Sequence, residues 1–307
     1  MAVKFWVSTS STSFSTAANW SDNAAPANGD TLIFSHLGTA SVETDLGSTL
    51  TTITLIKEKS YTGRIGVLTS AAQTYLTFDG GVVHLEQPPV QGSPTGSPLV
   101  MIANTSTTAM TVNVYDSSST SYSQNYPPIL LKGTDITVNV TGGKVGVAAL
   151  PGETSTGTFK TTRGAGSEAP FLFLGSGSTV TALSANAGTV VSRSGNTCAS
   201  AAISGGATYQ YDGTGAHTAI TVGGGSTVIY NGTGTITDID CSGTFDGSRD
   251  TRAKTVTDSI FRSGSRLNID NGVAGSFTFT NATEFPDGLD DVTFTTPSAV
   301  KALIDNI

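Results

Sequence analysis

Charge is the property this chain has least of. Only 12% of its 307 residues are Asp, Glu, Lys or Arg, about half the usual share of ~25% in globular proteins. The balance is acidic, with 23 acids against 15 bases and a net charge of −8. An acidic surface repels phosphate backbones, which excludes nucleic acid as an expected partner. Cysteine is almost missing too: Cys198 and Cys241 are the only two. They fall at different places in the repeat described below, so both are expected to be free, buried thiols. No run approaches the ~18 apolar residues of a membrane span, which leaves no expected membrane contact. The opening MAVKFWVSTSST has neither the charged segment nor the apolar run of a secretory signal. His36, His84 and His217 lie in no metal-ligand spacing, and no GxSxG, HExxH or phosphate-cradling glycine loop occurs. No catalytic residue, cofactor or metal is therefore expected, and the chain reads as something other than an enzyme.

Thr, Gly and Ser dominate instead, with 36 glycines, a composition suited to turn-rich β-structure with a hydroxylated surface. One short pattern recurs five times, opening at Gly188, Gly206, Gly225, Gly243 and Gly264 with a period of about 19 residues. Each copy holds two β-rich runs and two turns, as in GATYQYDG followed by TAITVGG. A fixed period of this size marks a solenoid, in which no single repeat buries its apolar face and stacking makes the core. Counted from the glycines, with the fourth copy slipped by one, Val191, Tyr209, Val228, Phe245 and Leu267 form one column. Ile203, Ile220, Ile239, Ile260 and Phe277 fall near a second. Polar residues between these positions fit strands packed on one face and wet on the other. The expected fold is all-β: a right-handed parallel β-helix of about 19 residues per coil, with an N-terminal cap and a short C-terminal helix. An antiparallel sandwich with evenly spaced hairpins is the alternative.

Four segments follow from composition. Residues 1–45 hold both tryptophans, and Trp6, Phe14, Trp20 and Phe34 are the expected cap over the end of the core, or an anchor to a larger assembly. Residues 46–128 read as irregular β-structure interrupted by the proline-rich QPPVQGSPTGSP and the polar DSSSTSYSQNYPP. Residues 129–285 are the solenoid body. In the tail, 286–307, Thr296 and Pro297 start a helix whose Val300, Leu303, Ile304 and Ile307 share one face.

Carboxylates in the repeats need weighing, because β-helices also host polysaccharide-cleaving enzymes. Asp238 and Asp240 alternate on one strand and could bind calcium or act as an acid pair. Asp246, Asp250, Arg252 and Lys254 cluster in the longest copy, and Asp287, Asp290 and Asp291 follow it. The simpler reading of each is a solvated, charge-paired outer face.

The W…NW…P.NGD.L.F arrangement of residues 6–34 resembles the opening segment of large bacterial surface proteins that continue into β-helical repeats, of the autotransporter-associated and anchor-tagged kinds. It is also similar to the openings of some tailed-phage virion proteins. This resemblance implies a non-enzymatic structural protein of a phage virion: a capsid decoration, head-fibre or tail-associated protein. It further implies a homotrimer in contact with the major capsid protein and with a host surface glycan. The alternative is a bacterial adhesin with a β-helical stalk, located on the extracellular surface, and the third is a polysaccharide-degrading enzyme.

Overall fold

The computed structural model describes residues 1–68, 73–86, 100–116, 127–164, 168–193, 195–270, 272–273, 276–288 and 292–295. The expected helix at 297–307, the proline-rich loop at 87–98, and Asp290 and Asp291 lie outside the described residues. The rest is nearly all β, with a single 3-10 turn at Ala17–Asn19 among the described residues. No described helix is long and apolar enough to cross a membrane. The chain divides into two compact units, Met1–Phe173 and Leu174–Ile307, whereas the sequence suggested breaks at 45, 128 and 285. Each unit is a parallel β-helix.

In the second unit two ladders run through the repeats. Strands Thr189–Ser192, Thr208–Tyr211, Thr227–Tyr230, Thr244–Asp246 and Arg266–Asn268 pair in parallel, in sequence order. Ser200–Ile203, His217–Val222, Ile236–Cys241 and Lys254–Phe261 make the other. The turns that open the copies need a left-handed residue, and glycine supplies it at low cost: Gly188, Gly206, Gly225 and Gly264 have φ of 73°, 78°, 74° and 79°.

The first column differs from expectation at one place. Val190, not Val191, stands beside Tyr209, followed by Val228, Phe245 and Leu267. Thr189 pairs with Thr208, which sets Gly188 opposite Ala207 rather than Gly206, so glycine counting misplaces this copy by one position. The slip of the fourth copy is real, since Val228 and Phe245 are neighbours across one coil. The second column needs more correction. Ile220 and Ile239 are partners, but Ile203 faces Val222 and Ala201 faces Ile220. Ile260 pairs with Asp240 and is only half-buried, while Ser259 takes the place beside Ile239. The reason is a stacked kink. Thr218 and Ala219, then Thr237 and Asp238, then Thr257 and Asp258 face outward in succession, so strict alternation fails at this corner of every coil.

The first unit uses longer and less even coils. Val3, Thr31, Thr54, Val82, Thr111, Thr137 and Thr158 stack in one outward column, and their spacing along the chain changes from coil to coil. The short, regular coil marked by glycines thus belongs to the second unit alone. Residues 1–45 are not a separate segment, because Val3–Phe5 and Thr31–Phe34 are the first two strands of this ladder.

Candidate functional site

The aromatic residues near the N-terminus form a cap inside the first coils. Trp6, Phe14, Trp20 and Phe34 are at most 2% exposed, and Trp20 meets the other three rings at centroid distances of 5.4 to 5.7 Å, all near edge-on. Their polar edges are satisfied: Trp6 Nε1 donates to Ala40 O at 3.0 Å and Trp20 Nε1 to Phe14 O at 2.9 Å. Residues 19–21 run antiparallel along the free edge of Val3–Phe5, through Val7 N to Asn19 O and Ser21 N to Phe5 O, both 2.9 Å. This closes the strand edge that would otherwise template pairing with another chain. With no ring face exposed, these four residues cannot serve as an anchor surface.

Three lysines point into the coils, and each is tied to acceptors. Lys4 Nζ pairs with Asp22, donates to Ala24 O at 3.2 Å and lies 3.8 Å from Asp30. Lys57 Nζ donates to Tyr61 O and Glu86 O, both at 3.1 Å, while burial draws its pKa down to about 7. Lys254 Nζ donates to Asp250 O and Oδ2 at 3.0 Å and to Arg252 O at 2.8 Å. The cluster around Asp250 is therefore a clamped turn. Burial raises the Asp250 pKa, but its hydrogen bonds to Arg252 and Lys254 outweigh this and hold it low. Asp238 and Asp240 both face out but have separate surroundings. Arg262 grips Asp240 with two bonds of 2.7 Å, and Asp238 stacks on Asp258, which accepts from Asn281 at 2.7 Å. Asp287 accepts from Ser263 N at 3.2 Å. Among the described residues no group of three or more His, Cys, Asp or Glu could hold a metal ion. Cys198 and Cys241 are free and buried, and burial pushes their thiols up to about 12 and about 11.

His217 occupies an inward place with no hydrogen-bond partner on either ring nitrogen. It packs edge-on against Tyr211 at 4.3 Å and Tyr230 at 5.6 Å, and burial pulls its pKa down to about 4.

A polar recess of about 410 Å³ lies in the first unit, lined by Gln73, Ala103–Thr105, Lys132–Thr134 and Pro151–Thr154. Apart from Gln73, which pairs antiparallel with Leu68, its lining comes from three successive coils, because Asn104, Gly133 and Ser155 are register partners in turn. Asn104 ends an apolar strand, Val100–Asn104, and its side chain is turned inward. Its amide nitrogen donates to Thr108 O at 2.8 Å and Thr134 O at 2.6 Å, which orients the side chain and leaves a buried Oδ1 without a donor. Gly133 has φ of 121°, and a Cβ there would lie 2.0 Å from Asn104 O, so only glycine lets these coils approach. The register shifts between Gly133 and Ile136, turning Thr134 and Asp135 outward. Opposite, the Glu153 side chain is 4% exposed and Lys132 Nζ stands 3.4 Å from its Oε1, which makes no hydrogen bond. Glu153 Oε2 accepts from Leu150 N at 3.0 Å. Lys132 Nζ also sits 4.1 Å above the buried Tyr75 ring. Burial first, and the Glu153 carboxylate second, hold the Tyr75 phenol neutral far above its ordinary range.

None of these recess residues stands out in the sequence. The available signal is a polar residue closing an apolar run, in VMIAN and ILLKG, and it acquires meaning only once the coils are in register. A second, smaller recess of about 250 Å³ lies beside Ile56, His84, Glu86 and Tyr115. A register shift after Leu85 puts Tyr115 out of the ladder, with its hydroxyl 2.9 Å from His84 Nδ1.

Compared with known proteins, the chain matches no family model, no curated protein and no solved structure.

Proposed function

We propose that the protein is a non-enzymatic structural protein of a phage virion, serving as a capsid decoration, head-fibre or tail-associated component. The observation that carries this reading is how the buried polar groups are used. Lys4 binds Ala24 O, Lys57 binds Tyr61 O of its own turn and Glu86 O of the next coil, and Lys254 clamps its own turn at Asp250 O and Arg252 O, while ladders of main-chain bonds run from coil to coil. The buried lysines are thus committed to fixing the main chain, which suits a protein whose work is to persist and present a surface. The similarity of residues 6–34 to virion openings supports the same reading. On this proposal the chain forms a homotrimer attached to other virion proteins such as the major capsid protein. The test is to purify the particles on which it is made and identify the protein in them by mass spectrometry, with its mass in solution measured by light scattering. Co-sedimentation as a trimer is expected. A protein found only on a bacterial surface, or one that releases sugar ends from polysaccharide, overturns the proposal.

A further inference from the structure

We infer that the recess beside Glu58, His84, Glu86 and Tyr115 is a docking site for an arginine side chain of a partner protein. Three observations set this chemistry. The first is an aromatic surface made by a break in the ladder. Leu85 pairs with Val114 and Glu86 with Asp116, so Tyr115 is the extra residue between them and is aimed outward, 43% exposed. Its ring lies within 5° of parallel to that of His84, with centroids 5.8 Å apart, and its hydroxyl is 2.9 Å from His84 Nδ1. A ring held in this way presents a fixed face, and a cation is attracted to the face of an aromatic ring.

The second observation is charge. Glu58 and Glu86 both line the recess. Ser60 Oγ donates to Glu58 Oε2 at 3.0 Å and Lys59 N to Glu86 Oε2 at 3.3 Å, which orients both carboxylates. Glu58 is half-buried and Glu86 exposed, so neither is closed to solvent. Lys57 is the lining residue of opposite sign, but it is 1% exposed and its Nζ is turned inward to Tyr61 O and Glu86 O. Burial also draws its pKa down to about 7, so at neutral pH it carries only part of its charge. The recess is therefore anionic. A planar guanidinium can lie on an aromatic face and bond a carboxylate through its fork, whereas an ammonium is compact and strongly hydrated.

The third observation is what surrounds the recess. Ile56 in its wall is the register partner of His84 and continues an outward column through Ile33 to Phe5. Val3 and Val82, 58% and 36% exposed, stand in the adjacent outward column. A small free cation would use the recess alone. A protein surface can cover the apolar strip as well and bury an arginine at its end, the usual form of an interface anchor. The inference stands apart from the virion proposal, and the failure of either leaves the other intact.

The experiment is an NMR titration of the full chain with N-acetyl-arginine methylamide, its lysine counterpart and its citrulline counterpart, which keeps the planar group but carries no charge. The arginine probe is expected to shift the signals of residues 56–58, 84–86 and 115 saturably, in the millimolar range. Its binding should be at least threefold tighter than that of the lysine probe, at least tenfold tighter than that of the citrulline probe, and weaker as salt is raised. Tyr115→Ala and, separately, Glu86→Gln alter exposed side chains and should each weaken binding at least threefold at an unchanged unfolding midpoint. Asp238→Asn, which removes an exposed carboxylate of the second unit, should leave binding as it was. Absence of saturable shifts at these residues overturns the inference. So does equal binding of the lysine or citrulline probe, or binding that survives both recess substitutions. A self-associated mass in light scattering that falls in Tyr115→Ala would put a second copy of the chain on this face and overturn the choice of partner.

Discussion

The two units solve the same stacking problem with different regularity. In the second, Val190, Tyr209, Val228, Phe245 and Leu267 succeed one another at nearly even steps and form an apolar and aromatic column, with His217 and Lys254 as buried polar residues beside it. In the first, coil length varies from one turn to the next, and Lys4, Lys57, Asn104 and Glu153 take buried places. A constant coil length leaves no spare chain, so every turn repeats the one beneath it. A variable length leaves residues to place, and they become the hairpin Val67–Leu68 with Gln73–Thr74, the shift at Gly133 and the turn at Gly152. The polar recess sits where those extra residues accumulate. Regularity in this solenoid goes with core, and irregularity with surface recesses.

That contrast can be broken most severely in the regular unit. Val228 is fully buried between Tyr209 and Phe245. Val228→Asp would place an unpaired carboxylate between coils, costing several kcal/mol against a total stability of roughly 5–15 kcal/mol. The expected outcome is insoluble or protease-sensitive protein, and a soluble, resistant variant at normal yield would contradict the register. Next in size is the cap of the first unit. Trp20→Ala should lower stability by ~3–5 kcal/mol in denaturant titration, the range for deleting a large buried ring. A loss below about 1 kcal/mol would mean that the cap is dispensable and the strand edge is closed by the main chain alone.

The third prediction concerns His217 in the second unit. Its pKa is about 4 when folded, against 6.5 in an ordinary environment, so the unfolded chain binds the proton more tightly. Stability from this residue is fully present above about pH 6.5, is lost as pH falls toward about 4, and changes no further below that. The difference is worth about 3 kcal/mol at most. Unfolding midpoints measured between pH 7 and pH 4 should fall less steeply in His217→Leu than in the parent chain, and equal slopes would show that the imidazole finds a partner when charged. The smallest effect is expected at the surface. Arg262→Ala removes the two-bond grip on Asp240 but should leave the unfolding midpoint nearly unchanged at physiological salt, as for exposed ion pairs generally. A large loss would show that the acidic outer columns need neutralising for the coils to stack.

Legibility followed the same division. The second unit could be read closely because its turns are marked by glycines with left-handed backbones and its inward residues are apolar. Even there, counting from Gly188 put Val191 in the place of Val190, and strict alternation missed the outward pairs such as Thr237 and Asp238. Neither error is visible in one dimension, since a run with two successive polar residues reads equally well as alternation in a different phase. In the first unit the strands Thr31–Phe34, Thr54–Lys57 and Gly81–Glu86 stack at unequal separations along the chain, and no fixed period connects them. Lys57 closes the strand Thr54–Lys57 and faces into the coil, where its neighbours in the stack are Phe34 and Leu85.

The sequence by itself determined that the chain is a parallel β-helix, because a short fixed period with two β-rich runs per copy leaves each repeat unable to bury its own apolar face. It also determined where the regular coils lie and that the early tryptophans belong together. Only the tertiary structure decided the register, the closing of the first strand edge by residues 19–21, and the gathering of Asn104, Lys132 and Glu153 along one polar recess. These depend on which residue of one coil faces which residue of the next. That is fixed by the lengths of turns and insertions between strands, quantities that every inserted residue shifts and that local preferences do not record.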